Sequence, residues 1–500
     1  MSVPGEEFQL GEGPGAPGNN GRDSSDVLLI LGFHALLLVF FCAAGSAVLW
    51  LFGRPLSGVI PPLSAAATGI SLVLVTRRLY PDRWPATAAR LAGVLIGIVA
   101  ASTLVAGRFL DLSWDGQGYH QRAIIALADG WNPVWDGDPP GARSTIPLRH
   151  YPKLVETIAA EIYRLTGNIE LGKSVHWLLL AASFLLGTAL LLRIPGFGWR
   201  TAAVIATLAA LNPVTLCQLP TFYVDGVVAS LATAAIACGL LYLTKPRTLA
   251  LAAFAVSISL LATVKTSGLV YGAVIVSGLL LGAVVWRRAL AFRLASAASG
   301  AYLAATLVLA FHPYVTNVLR YENPGYPFIG AGDRGGEWII GAQRPGGFAE
   351  LGRGTRLALS LASRSQNALD PDPAALKPPF SASKSEWALF SIPDVRVGGF
   401  GPLFSAALLF AAITFAVSLA RTPNERSRMG HRAAGFAGVV IVVSVLVTPE
   451  GWWARLAPQM WLLPLVLVVP ALTRNTAHRL PRLAAIATLG LVAVDALGVG

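Results

Sequence analysis

Asp115 stands between Trp114 and Gly116 in the stretch LSWDGQGYHQRAIIALADGWNP, residues 112–133, and Tyr119 and His120 follow one turn later. A carboxylate held at a fixed boundary can act as a general base. Asp-Gly also favours tight turns, so a purely conformational role stays open for Asp115. Asp111 is a second carboxylate of the same stretch and competes for the same role. Asp136 and Asp138 belong to WDGDPP, where Pro139 and Pro140 make a turn role the better fit. His120 suits a hydrogen bond to a substrate or to a neighbouring carboxylate. Tyr119 and Trp131 offer faces on which a sugar ring can stack, or residues for an aromatic belt at a membrane surface.

Three more ionisable residues fall at the ends of apolar runs. Asp225 lies in QLPTFYVDGVVAS, Lys265 in ATVKTSGLVY and Arg455 in TPEGWWARLAPQMW. Ionisable groups at membrane depth are costly and usually functional, although snorkelling near a helix end lowers that cost. Lys265 and Arg455 on the side that carries Asp115 would suit the phosphate of a lipid-linked donor, with Asp225 beside them. His120 and His150 share a loop with carboxylates but lack zinc spacing, so a divalent metal is not indicated. Cys42, Cys217 and Cys238 all lie in apolar runs, which excludes a disulfide framework and a cysteine metal site.

The elements that must position these residues are membrane helices. The 500 residues are 54% hydrophobic and 13% charged, with a mean hydropathy of +0.61; an ordinary soluble domain carries about 25% charged residues. The deficit is spread along the chain. Many apolar runs approach the roughly 20 residues a helix needs to cross a bilayer, and they lack the period of two of a membrane strand. The expected fold is an all-α polytopic membrane protein with about thirteen transmembrane helices, in a range of 11–14. The spans are near 27–52, 57–76, 88–108, 174–193, 201–218, 222–243, 248–264, 267–286, 294–312, 401–420, 433–448, 456–473 and 481–498. Residues 1–25, rich in Gly, Pro, Asn and acidic residues, predict a disordered tail without the basic start of a cleaved signal. Residues 26–500 form one transmembrane domain.

Charge sets the expected orientation. The net charge of +12 would raise the question of nucleic acid in a soluble protein, but here the cations cluster in short loops. One set of loops carries Arg77, Arg78, Arg83 and Arg90, then Arg193 and Arg200, then Lys245 and Arg247. It continues with Arg287, Arg288 and Arg293, then Arg421, Arg426, Arg428 and Arg432, then Arg474, Arg479 and Arg482. The alternate short loops hold only Arg54, Lys265 and Arg455. The positive-inside rule places the first set and the N-terminus in the cytoplasm. Two long loops, 109–173 and 313–400, then face outward with interfacial helices. In PKLVETIAAEIYRLTG, Leu154, Val155, Ile158, Ile162 and Leu165 share one helical face. Pro152 suits the first turn, Gly167 the C-terminal cap, and Glu156, Glu161 and Arg164 lie off the apolar face. Such a helix either lies along the bilayer surface or packs on protein. The loop 313–400 begins RYENPGYPFIG and holds no phosphate loop or dinucleotide fingerprint.

The order of these pieces, WDGQGYH at 114–120, TFYVD at 221–225, KTSGL at 265–269 and NPGYP at 323–327, resembles the bacterial branch of the GT-C glycosyltransferases. That branch is related to protein O-mannosyltransferases and aminoarabinose transferases. The resemblance covers the front two-thirds of the chain. It implies an enzyme of the bacterial cytoplasmic membrane that moves a sugar from a polyprenyl-phosphate donor to an extracytoplasmic glycan, lipid or protein acceptor, with inversion. A first-loop aspartate then acts as base, and by position that is Asp115. Here the loop follows the third span instead of the first, and Asp115 precedes glycine where the family has a second acidic residue. The expected substrate-binding residues are Tyr119, His120, Asp225, Lys265 and Arg455, with Asp115 or Asp111 catalytic and no certain cofactor.

Two other classes fit the composition. A transporter or flippase of a lipid-linked or small polar substrate would show internal repeats and mid-membrane charge; no repeat is visible, and the ionisable residues sit at span ends. A non-catalytic assembly factor of the cell envelope would scatter Asp115, Asp225, Lys265 and Arg455 over its surface. Convergence of the four on one outward cavity is the expectation that separates an enzyme from a scaffold.

Overall fold

A computed structural model describes residues 19–139, 146–327, 344–367, 373–422, 425–473 and 479–499. The chain opens with three long helices, α1 (Asn19–Leu51), α2 (Ile60–Leu79) and α3 (Trp84–Ala106). Shorter helices α4 (Gln121–Ala128), α5 (Ile146–His150) and α6 (Leu154–Thr166) build the first long loop. Then come α7 (Ser174–Leu191), α8 (Trp199–Ala210), α9 (Pro213–Gln218), α10 (Asp225–Thr244), α11 (Thr248–Val264), α12 (Thr266–Trp286) and α13 (Arg288–Ala304). The second long loop holds α14 (Phe311–Tyr321), α15 (Arg353–Ala362) and α16 (Lys384–Leu389), with a two-stranded antiparallel ribbon of β1 (Gln366–Asn367) and β2 (Val395–Val397). Four helices close the chain: α17 (Phe404–Ala420), α18 (Glu425–Val447), α19 (Leu462–Leu472) and α20 (Arg479–Gly498).

Among the described residues nine helices are long and apolar enough to cross a membrane, and four shorter apolar helices accompany them. Each falls on one of the thirteen stretches expected from the sequence. This is an all-α, multi-pass membrane architecture. Its core lies where α1, α7, α10 and α11 pack together. In their most apolar stretches α1 and α10 are 72% and 78% buried, whereas α2, α3 and the helical run Arg288–Leu309 are 22% buried. The outer helices turn Ile70, Ile96 and Leu104 outward. Apolar side chains around the whole circumference are tolerated where the surroundings are hydrocarbon.

Three expectations change. The stretch 201–218 is broken at Asn212, whose backbone is extended and whose side chain caps α9 by accepting from Thr215 N at 2.9 Å. Pro213 forces this, because proline pushes the preceding residue out of the helical region. The last residues of the expected tail are helical. Helix α1 begins at Asn19, Ser25 Oγ donates to Ala189 O at 2.8 Å, and Asp26 pairs with Arg193 and Arg247; residues 1–18 lie outside the described residues. The helix at 154–166 ends at Gly167 in the left-handed region, as its sequence predicts, but its first two turns are buried in protein, Glu156 and Glu161 included. Glu156 meets His120, and Glu161 accepts from Ser46 Oγ. Carboxylates that far from water require such partners. Only the end of this helix, from Arg164, is exposed.

The two ends of the bundle differ. Asp26 gathers the α7–α8 and α10–α11 turns, and Asp23 lies 3.9 Å from Arg83. The segments bearing Asp115, Asp225, Lys265 and Arg455 meet at the opposite ends of these helices.

Candidate functional site

The loop after α3 is anchored by Asp111. Its Oδ1 accepts from Ser113 N at 2.8 Å and Ser113 Oγ at 2.5 Å, and its Oδ2 accepts from Phe222 N at 2.7 Å. Its carbonyl accepts from Gln121 Nε2 at 3.0 Å. A Cβ on Gly116 would stand 2.0 Å from Asp111 Oδ2, so only glycine fits there. Lys173, fully buried, donates to Phe109 O at 2.5 Å and Pro220 O at 2.9 Å. These bonds staple the first long loop to the turn before α10. Asp111 is 2% exposed and does not line the cavity; its contacts fix the loop.

Asp115 opens a π turn, Gly116–His120, that leads into α4. Its Oδ2 accepts from Tyr119 Oη at 3.2 Å and lies 3.0 Å from Arg455 Nη2. Its backbone N donates to Tyr223 Oη at 3.4 Å. The side chain keeps 20% of its surface open, and among the described residues its bonded carboxylate oxygen is Oδ2. Burial, reinforced by the charge of Asp115, holds the Tyr119 hydroxyl well above its ordinary pKa; Tyr119 therefore remains a proton donor to that oxygen.

Arg455 is the hub. It sits in a short turn, Ala454–Leu456, with Nε 2.9 Å from Asp225 Oδ2, Nη2 on Asp115 and Nη1 3.4 Å from Asp394 Oδ2. Its guanidinium lies 4.8 Å from the Tyr223 ring centroid and 5.3 Å from that of Trp453. Burial works against this charge, but Asp225, Asp394 and Asp115 outweigh it and hold Arg455 well above its ordinary pKa. A planar fork with five donors can serve three carboxylates at once.

Asp225, the first residue of α10, is 2% exposed. Its Oδ1 accepts from Lys265 Nζ at 2.8 Å, and Gln218 Nε2 donates to its Oδ2 at 3.3 Å. A helix N-terminus favours a negative charge. Asp225 does not line the cavity; it stands behind Lys265 and Arg455 and orients both. Lys265 occupies the extended break between α11 and α12. The helices fold closely there because a Cβ on Gly268 would meet Leu261 O at 2.1 Å.

The resulting cavity is about 970 Å³. Asp115, Tyr119, Lys265 and Arg455 line it, with Tyr151, Tyr223 and Trp453 supplying aromatic surface. Its rim is apolar, with Trp114 88%, Leu112 76% and Leu110 73% exposed.

Other expected residues lie elsewhere. His120 is buried behind Tyr119 with Nδ1 2.7 Å from Glu156 Oε1, and it does not line the cavity. His150 Nδ1 lies 3.3 Å from Asn317 Oδ1, and its ring stands edge-on to Tyr321 and Tyr326. The two histidines thus have separate partners, and among the described residues no group of three His, Cys, Asp or Glu is placed to hold a metal ion. Trp131 is buried and donates to Gly137 O at 3.2 Å, closing a turn instead of offering a face. Asp136 accepts from Asn132 N at 2.7 Å in a turn role, whereas Asp138 pairs with Arg149 of α5.

Asp394 and Arg396 are lining residues that the sequence reading missed. Asp394 Oδ1 accepts from Trp453 Nε1 at 3.0 Å, and the Arg396 guanidinium lies 4.5 Å over the Trp453 ring. The alternation of SIPDVRV, 391–397, was the available signal, hidden in a long loop of nearly balanced charge. Glu450, also at the cavity, pairs with Arg344 and Arg356.

The chain matches no model of a known protein family, and no curated protein is similar to it in sequence.

Proposed function

We propose that the protein is an integral membrane glycosyltransferase of the GT-C type, which moves a sugar from a polyprenyl-phosphate donor to an acceptor hydroxyl with inversion. The observation that carries this reading is the meeting of Asp115, Lys265 and Arg455, from three distant parts of the chain, in one cavity with an apolar rim. Asp115 offers a proton acceptor facing the cavity. Lys265 and Arg455 are fixed cations in a partly dry site, where they act most strongly on developing negative charge. Leu110, Leu112 and Trp114 give an isoprenoid chain an apolar approach. The arginine-rich turns at the far end favour an extracytoplasmic cavity under the positive-inside rule.

In the reaction, Asp115 takes the proton of the acceptor hydroxyl while that oxygen bonds to the sugar C1. The bond from C1 to the phosphate oxygen breaks on the opposite face, and the lipid phosphate leaves with the electron pair toward Lys265 and Arg455. Tyr119 and Arg455 hold Asp115 Oδ2, which directs Oδ1 to the acceptor. Asp225 positions the two cations. No divalent ion is required by this scheme.

Incubating membranes that contain the protein with radiolabelled polyprenyl-phosphate sugars tests the proposal. Labelled product that disappears with Asp115→Asn is the expected result. Labelled donor crossing the bilayer unchanged, without product, would instead favour a transporter.

A further inference from the structure

A second cavity, about 510 Å³, opens at the arginine-rich end of the bundle, far along the helices from Asp115. It lies between the first turns of α1 and α3. Ser24, Leu28 and Leu31 recur at helical spacing on α1, and Thr87, Leu91 and Val94 do so on α3; such residues share one helix face. Leu28, Leu31 and Leu91 are buried at its inner wall, and Val94, 47% exposed, forms its outer edge. Tyr80 and Trp199 stand at the mouth, the level at which such side chains meet a membrane surface.

The cations are Arg83 and Arg90. Arg83 precedes α3 as its N-cap, with the guanidinium 5.2 Å over the Tyr80 ring. Its one ion pair among the described residues, with Asp23 at 3.9 Å, has both side chains about two-thirds exposed, and pairs of that kind are weak and readily exchanged. Arg90 is exposed and makes no ion pair among the described residues. The positive end of the α3 dipole points the same way. Asp23 lines the cavity from α1, and Asp82 is the acidic residue of the α2–α3 turn; Arg77 and Arg78 at the end of α2 offset these charges.

We infer that this cavity binds one anionic glycerophospholipid, with its phosphate on Arg83 and Arg90 and an acyl chain along the Leu28, Leu31, Leu91 and Val94 wall. Charge selects the headgroup, since basic pockets beside membrane helices bind anionic lipids. The apolar wall, continuous with the cations, selects a lipid phosphate over a soluble one.

The test is native mass spectrometry of the purified full chain in detergent, titrated with phosphatidylglycerol or phosphatidylcholine. The chain should retain phosphatidylglycerol preferentially. Arg83→Ala with Arg90→Ala should lower that retention roughly tenfold or more, the effect of removing two surface cations, and leave phosphatidylcholine unchanged. Val94→Trp, which keeps both cations and fills the wall, should also lower it, and millimolar inorganic phosphate should not compete. Equal retention by wild type and the double variant overturns the site. Loss with the double variant but none with Val94→Trp, together with competition by inorganic phosphate, overturns the lipid and leaves a simple anion site. Each variant changes surface side chains, so an unchanged melting temperature serves as the folding control.

Discussion

Asp115 and Arg455 lie 340 positions apart in the chain and meet at 3.0 Å. The contact joins the first long loop to the turn before α19 and places a partly open carboxylate beside a buried cation. Arg455 also holds Asp225 and Asp394, so the cation beside this carboxylate ties further segments of this end of the bundle together.

The two aspartates of the first loop should separate cleanly in mutants. Asp115→Asn keeps the shape of the side chain and should leave the melting temperature near wild type, while transfer falls roughly 10²–10⁴-fold with the loss of the base. Asp111→Ala strands the buried Phe222 N–H and frees the half-buried Ser113 N–H, and should cost about 2 kcal/mol of stability. Thermal unfolding in detergent, beside the transfer assay, checks both. Wild-type activity in Asp115→Asn would assign the base to another group.

Removing the hub should destabilise more than its exposure suggests. Arg455→Met leaves Asp225 and Asp394 with less compensation and should cost about 3 kcal/mol, the usual scale for breaking a buried pair from one side. Adding Asp225→Asn removes one of the stranded charges and should recover part of that loss. Melting temperatures of the two single variants and the double variant measure the interaction directly.

Lys153 gives a pH signature. Burial pushes its ammonium down to about 8, against a raising influence from Glu156; Pro147 O and Tyr151 O each accept from Nζ at 3.2 Å. A base with a lowered folded pKa binds fewer protons folded than unfolded between about 8 and its ordinary value of 10.5. Stability therefore rises with pH across that window, and the penalty for charging Lys153 is fully present below it. Lys153→Met should flatten this rise. Melting temperatures from pH 7.5 to 10.5 provide the check, and an identical slope in the variant would refute the assignment.

The apolar rim should matter only for long-chain donors. Replacing Leu110, Leu112 and Trp114 with serine should raise KM for a full-length polyprenyl-phosphate sugar and leave kcat close to wild type, because such contacts bind ground state and transition state alike. A short-chain donor analogue should show no change. An equal effect on both donors would place the lipid chain elsewhere.

The sequence by itself determined where the helices run. Long apolar stretches are a property of neighbours along the chain, so each of the thirteen stretches met an apolar helix, and Gly167 capped α6 as its type requires. It also determined that Lys265 and Arg455 stand at breaks between helices on the side of the first loop. Only the tertiary structure decided which carboxylate faces the cavity. Asp111 and Asp115 share local sequence, but Phe222 N, brought in from the turn before α10, claims Asp111 and leaves Asp115 open. Packing likewise withdrew His120 to Glu156, set Asp225 behind the two cations, and brought Asp394 and Arg396 to the site from a loop with no visible motif. The physical reason is common to all of these. A buried charge or N–H must find a partner, and which partner comes within 3 Å depends on how separate helices pack, which no local spacing encodes.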